Sequence, residues 1–191
     1  MQFQRLEDTS PLEIEYSGEL LDLYTFGIFH LNMQDIVDKV ALGLLSQAGL
    51  LEPTWRRANY LPRRPFLASE RIIKAEIRQV QIGSLTEGIT FAVASVFADP
   101  NVIAVLQNLG ANVIWAVGES GVRGIRNRIH PQPNKFRWFQ RDDDPVEIGP
   151  NLRDVLVAIA QTNNGKKAEI RFKSGSRNRE QTEVIITIDG Q

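Results

Sequence analysis

Histidine and acidic residues are the first places to look for chemistry, and this chain is sparing with both. His30 and His130 are the only histidines in 191 residues, and there is no cysteine. Disulfides, thiolate metal sites and thiol catalysis are thereby excluded. Neither histidine stands in an H-E-x-x-H or H-x-E setting, and no G-x-S-x-G occurs, so neither zinc-hydrolase nor serine-hydrolase spacing is spelled out. A lone histidine near the end of an element is ordinarily structural or solvated. Asp142, Asp143, Asp144 and Glu147 form the one acidic cluster. Asp142, Asp144 and Glu147 offer oxygen ligands to a divalent cation, yet the EF-hand glycine and distal glutamate are missing, and a solvated turn is the plainer reading. Glycine-rich 118–124, GESGVRG, lacks the Gly-Lys-Ser/Thr of a phosphate loop and follows an apolar helical stretch rather than a strand. A flexible helix exit is expected there. These residues point to no enzyme and no cofactor.

The richest candidate for binding is 121–141, with six bases and no acid. Arg123, Arg126, Arg128, Lys135, Arg137 and Arg141 would pair with phosphates, and Phe136, Trp138 and Phe139 would stack on unpaired bases. The same segment would suit an anionic lipid headgroup region. Against nucleic acid stands an overall pI near 6.2, far from the strongly basic domain such binding favours. His130-Pro131-Gln132-Pro133-Asn134 reads as the loop of a hairpin between two short strands.

Next to this segment lies the most apolar part of the chain, 84–118, where only Glu87 and Asp99 carry charge. It must be covered by the protein's own core, by a partner or by lipid. Residues 100–118 run without a charge, close to a bilayer span, but hold Asn101, Gln107, Asn108 and Asn112, and amides in hydrocarbon are costly unless paired. The amide stripe Asn101, Asn108 and Asn112, together with Trp115, therefore points to protein–protein burial, most simply with another copy of the chain.

Charge is distributed unevenly. Net charge is −1, yet residues 1–52, 53–141 and 142–191 carry −7, +8 and −2. An acidic front and a basic middle attract each other within one chain or between copies. Apolar residues make up 42% and charged residues 24%, the balance of a globular protein with a real core. A single domain is expected, with a subdivision near 118–150 as the alternative. No basic n-region with an apolar h-region opens the chain, and cytoplasmic location is the expectation.

The elements that must hold these residues follow from periodicity. Residues 12–16 alternate apolar and acidic as a half-buried strand does, and 20–29 reads as a second strand after a polar arm at 1–11. Asn32 reads as the N-cap of a helix over 33–48, with Ile36, Val37, Val40, Ala41, Leu44 and Leu45 on one face and Gly49 as its stop. Residues 50–69, with Pro53, Pro62, Pro65 and two arginine pairs, read as loop. Residues 71–82 alternate as a strand. Residues 85–97 fit both a capping box at Ser84/Glu87 and a two-residue period; β-branched and aromatic content favours a strand, paired as a hairpin of 71–82 with 87–96. Asp99-Pro100 then opens a central helix over about 100–117. Gly149-Pro150 opens another over 151–162, and strands at 167–173 and 182–188 close the chain. Lys-Ala-Glu-Ile-Arg occurs at both 74–78 and 167–171, but no fixed period covers the rest, and amphipathic strands coincide readily.

The expectation is an α+β fold, a mostly antiparallel sheet with about three helices. The expected role is non-enzymatic self-association. The alternatives are a membrane-associated effector using 85–118 with its basic flank, and a nucleic-acid-binding module using that flank.

Overall fold

A computed structural model of the chain describes residues 2–6, 11–18, 21–51, 72–81, 85–95, 98–129, 148–163, 166–175 and 182–188. The fold is α+β, as expected: among the described residues six strands form one mostly antiparallel sheet, packed with four helices. In chain order they are β1 (Phe3–Arg5), β2 (Leu12–Ser17), α1 (Leu23–Gln47), β3 (Ile73–Gln81), β4 (Leu85–Ala94), α2 (Pro100–Leu106), α3 (Leu109–Ile129), α4 (Gly149–Thr162), β5 (Ala168–Ser174) and β6 (Thr182–Ile188).

The strands read from two-residue periods are all present. Of the two readings of 85–97, the strand prevails: β4 pairs with β3 along its length. It could hardly do otherwise, because β4 is bordered on both sides. β3 lies along one edge; on the other, β1 takes residues 92–94 and β2 takes residues 85–89. β2 then pairs with β5 and β5 with β6, so the sheet runs β3-β4-β2-β5-β6 with every pairing antiparallel. The two Lys-Ala-Glu-Ile-Arg copies occupy unlike places. β3 is the outer strand of its hairpin and β5 the inner strand of the other.

Alternation sorts the two faces. Leu12, Ile14, Tyr16, Ile89, Phe91, Val93, Ile170 and Phe172 are all buried and face the helices. Burying each such side chain is worth about 1.5–3 kcal/mol. The opposite face is polar. Glu15 pairs with Lys173 at 2.8 Å and Arg171 at 3.7 Å, Arg171 with Glu169 at 3.0 Å, and Arg5 with Glu76 at 3.2 Å. Glu76 and Glu169 therefore point outward, as their alternation predicts.

The first helix differs from expectation. Residues 20–29 are not a second strand: α1 starts at Leu23, capped by Asp22, whose carboxylate accepts from the Thr25 amide at 2.7 Å. The strand-like look came from the Leu, Tyr, Phe and Ile content of the run, yet Leu23 and Tyr24 within it are 91% and 77% exposed. The buried set Thr25, Phe29, Met33, Ile36 and Val40 recurs at helical spacing. Asn32 is consequently no cap but a mid-helix residue. Its Nδ2 donates to the Ile28 carbonyl, and its Oδ1 accepts from Asn151 Nδ2 of α4 at 2.8 Å.

The stop at Gly49 is as expected and follows from its backbone. With φ at 71°, Gly49 donates its N–H to the Ser46 carbonyl at 3.0 Å and Leu50 donates to Leu45 at 2.9 Å. These two bonds close the helix in a Schellman motif. Residues 35–43 of α1 are buried on every side, so this helix shares the centre of the fold with the apolar stretch after Asp99.

That stretch is not one helix. Asp99 caps it, accepting from the Asn101 amide at 2.8 Å, with Pro100 in the first turn. The helix breaks at Gln107-Asn108 and bends by 44°. α3 then continues to Ile129 rather than ending near 117. So 118–124 is helix, not a flexible exit, and the first strand of the hairpin expected in 121–141 is absent. Gly118, which reads as a terminator, is accommodated in the helix by its packing. An added Cβ at Gly118 would sit 2.9 Å from Val184 Cγ2, so glycine lets α3 approach β6 closely. The break at Gln107-Asn108 gives four helices among the described residues where three were expected.

α4 matches its expected span, with Leu152, Val155 and Ile159 buried and Leu156 half-buried. Asn163 ends it, and its buried amide donates to Tyr16 Oη and to the Ile159 carbonyl, both at 2.8 Å. All but residues 50 and 51 of the loop expected at 50–69, the Gly83-Ser84 turn and the whole of 130–147 lie outside the described residues.

Candidate functional site

Polar chemistry inside the fold centres on α1. His30 lies on the face of α1 that meets β4. Its Nδ1–H donates to the Phe26 carbonyl at 2.7 Å, and its Nε2 lies 2.6 Å from Glu87 Oε2. Both ring nitrogens thus face acceptors, which favours the doubly protonated imidazolium against a carboxylate. The side chains are 20% and 1% exposed. Burial alone would lower the pKa of His30. The hydrogen bonds to Glu87 and the Phe26 carbonyl, with the Glu87 charge, outweigh it and hold the ring above its ordinary value. Phe26 lies tilted against the ring, 45° between planes and 4.0 Å between centroids, and Phe29 meets it edge-on at 5.2 Å. With both nitrogens engaged and Glu87 sealed from solvent, the pair offers no lone pair to a substrate. It acts as a latch between α1 and the sheet.

A second polar group joins α1 to α4. Lys39 Nζ donates to Asn151 Oδ1 at 2.6 Å, and Asn151 passes the chain on to Asn32. Asp35, Asp38 and Lys39 are all buried. Charged groups at that depth require partners, and Asp38 accepts from Gln34 Nε2 at 3.1 Å. Among the described residues no three His, Asp or Glu side chains converge as a metal site requires.

Among the described residues three strands pair on one side only, the three-residue β1 and the longer β3 and β6, and the two long edges are unlike. In β3 the bond from the Ala94 amide to the Ile72 carbonyl, 2.8 Å, sets the ladder so that Ile73 and Ala75 turn their main-chain groups away from β4. Gln34 of α1 meets both. Its Nε2 donates to the Ile73 carbonyl at 3.0 Å, and its Oε1 accepts from the Ala75 amide at 2.9 Å. One side-chain amide thus mimics a neighbouring strand. β3 also carries Lys74, Glu76 and Arg78, and its register shifts between Ile77 and Gln79. A capped backbone, alternating charge and a bulge are the devices that guard sheet edges.

β6 has none of these. Its sequence, TEVIITI, is β-branched at every position except Glu183. It pairs with β5 over seven residues without a shift. Its one charge, Glu183, is held by Arg171 of β5 at 3.3 Å. Ile185 is 49% exposed on the outer face. Among the described residues β6 pairs only with β5.

The residues singled out from sequence are scattered by the fold. Asn101 and Asn108 are exposed, and Asn112 is half-buried. The bend between α2 and α3 divides the amide stripe, and Asn112 donates its side-chain amide to the Asn108 carbonyl at 2.9 Å. Trp115 is 57% exposed on α3, one turn before Gly118, which touches β6. Arg123, Arg126 and Arg128 lie on the α3 backbone, and their side chains are outside the described residues. So are Lys135, Arg137, Trp138, Arg141, Asp142, Asp143, Asp144 and Glu147.

No single helix among the described residues is long and apolar enough to cross a membrane. The bent pair Pro100–Leu106 and Leu109–Glu119 reaches that composition only jointly, and its Leu106, Leu109, Val113, Ile114 and Val117 are fully buried in the core. Sequence reasoning missed the His30–Glu87 latch and the contrast between the edges. The β-branched run 182–188 was visible, but its place at the end of the sheet was not. Comparison with models of known families, with curated proteins and with solved structures found no match.

Proposed function

We propose that this chain is a self-associating structural module that joins copies of itself by strand addition at the β6 edge. The observation that carries the reading is the contrast between the two long edge strands, β3 and β6, of one sheet. β3 is guarded by Gln34, by charge and by a bulge, whereas β6 presents seven β-branched-rich residues with one neutralised charge. An unguarded strand of this kind is a template for another chain.

The magnitudes favour an association of moderate strength. Pairing seven residues adds about six main-chain hydrogen bonds at roughly 1 kcal/mol each. Association costs about 4–15 kcal/mol in lost freedom. Apolar burial must supply the surplus, and the exposed Ile185 and Trp115 are the large apolar groups on β6 and on the helix that packs over it. Sedimentation equilibrium across micromolar concentrations tests the reading. The expected result is a mass above the 21.5 kDa of one chain; a monomer throughout would overturn it.

A further inference from the structure

We infer that the partner strand is β6 of a second copy, antiparallel about a two-fold axis through Ile185, with the two α3 helices facing each other across that axis at Trp115. This rests on the self-association proposed above and adds its geometry. Three observations carry it.

The first is which edges can meet. A head-to-tail contact would join β6 to β3 of the next copy and generate an open chain. The β3 edge is occupied by Gln34 at Ile73 and Ala75 and kinked beyond Ile77. β1 also pairs on one side only among the described residues, but its three residues cannot match the seven of β6; β6 is best met by β6, and a self-complementary contact closes as a two-fold dimer.

The second is register. With Ile185 on the axis, Glu183 of each copy stands opposite Thr187 of the other, and Val184 opposite Ile186. No like charges oppose, and the exposed Ile185 is covered by its own counterpart. β6 has no bulge to disturb the ladder. Antiparallel neighbours of this kind place directly opposed Cβ atoms ~5 Å apart.

The third is the helix above. Gly118 brings α3 against Val184, on the helix-facing side of β6. Val113, Ile114 and Val117 turn toward the core. Trp115 lies about 60° around the helix from Gly118, at 100° per residue, on the side away from that core set. In a continuous sheet built through β6, this is the side that looks across the axis at the other α3. Ala111, half-buried, lies on the same side, one turn earlier.

The absence of cysteine makes the register directly readable. Single variants Ile185→Cys, Glu183→Cys and Thr187→Cys are oxidised mildly and run on a non-reducing gel. Ile185→Cys is expected to cross-link with itself. Glu183→Cys alone is not, because its two copies stand roughly 14 Å apart along the strands, but it is expected to link to Thr187→Cys when the two are mixed. Trp115→Ala should weaken association about tenfold or more without changing this pattern. A dimer by sedimentation in which Ile185→Cys stays unlinked, or Glu183→Cys links to itself, overturns the register and leaves self-association standing. A wild-type chain that is monomeric at every concentration overturns self-association itself and leaves the β6 edge to a different partner's strand.

Discussion

Replacing Glu87 by Gln removes the charge from the latch while keeping its shape, and the structure sets both the size and the pH dependence of the effect. The bond to His30 Nε2 is 2.6 Å long, and Glu87 is 1% exposed. A hydrogen bond to a charged group of this kind contributes about 1.5–3 kcal/mol. The cost falls short of the 3–5 kcal/mol typical of breaking a fully buried ion pair, because His30 keeps 20% of its side chain in water and glutamine retains a hydrogen bond. For a chain of this size each 1 kcal/mol moves Tm by about 2–4 °C, so a drop of roughly 3–12 °C is expected at pH 6.

His30 is held above its ordinary value in the folded state. The pair therefore contributes its full stability below the unfolded value of about 6.5 and loses it as pH rises through the raised folded value. The wild-type protein should lose this contribution across that window, while Glu87→Gln should not. Urea unfolding of both proteins from pH 5.5 to 9 reads the difference, which should shrink as pH rises. A difference that is flat with pH, or that grows, would refute the latch.

Gly118→Ala should destabilise the fold by about 1–3 kcal/mol, the usual cost of overpacking, because the new methyl meets the stiff Val184 side chain at 2.9 Å. Adding Val184→Ala should recover part of that loss, and thermal melts of the single and double variants check it. Gln34→Ala strips the cap from the β3 edge and should cost about 1–3 kcal/mol through unmet main-chain groups. Hydrogen exchange at the Ala75 amide, which now donates to Gln34 at 2.9 Å, should accelerate more than exchange at the β4 amides.

Much of the fold is legible in the sequence because the strands obey a local rule. Ile14, Tyr16, Ile170 and Phe172 alternate with charged neighbours, and one face of the sheet is wet, so period two survives intact. The class and the β3–β4 hairpin follow from that. The start of α1 was hidden because 20–29 is apolar at nearly every position, and such a run fits either period. Asp22 is the cap, but Asn32 offers the same chemistry ten residues later, and its Oδ1 in fact accepts from Asn151 rather than from a first-turn amide. The extension of α3 was hidden for another reason: Gly118 looks like a terminator unless Val184, far along the chain, is known to press on it. The latch joins residues 57 positions apart. Which strand ends the sheet is a matter of topology, and no local pattern in TEVIITI distinguishes an edge from a centre.

The most direct test of assembly through β6 is sedimentation equilibrium of the wild-type chain beside Ile185→Lys. Ile185 is 49% exposed, so lysine there should leave the fold of the single chain intact while placing like charges opposite each other on the axis. The wild type is expected to form a concentration-dependent dimer and Ile185→Lys to remain a 21.5 kDa monomer. A wild-type monomer, or an equally dimeric Ile185→Lys, would contradict assembly through β6.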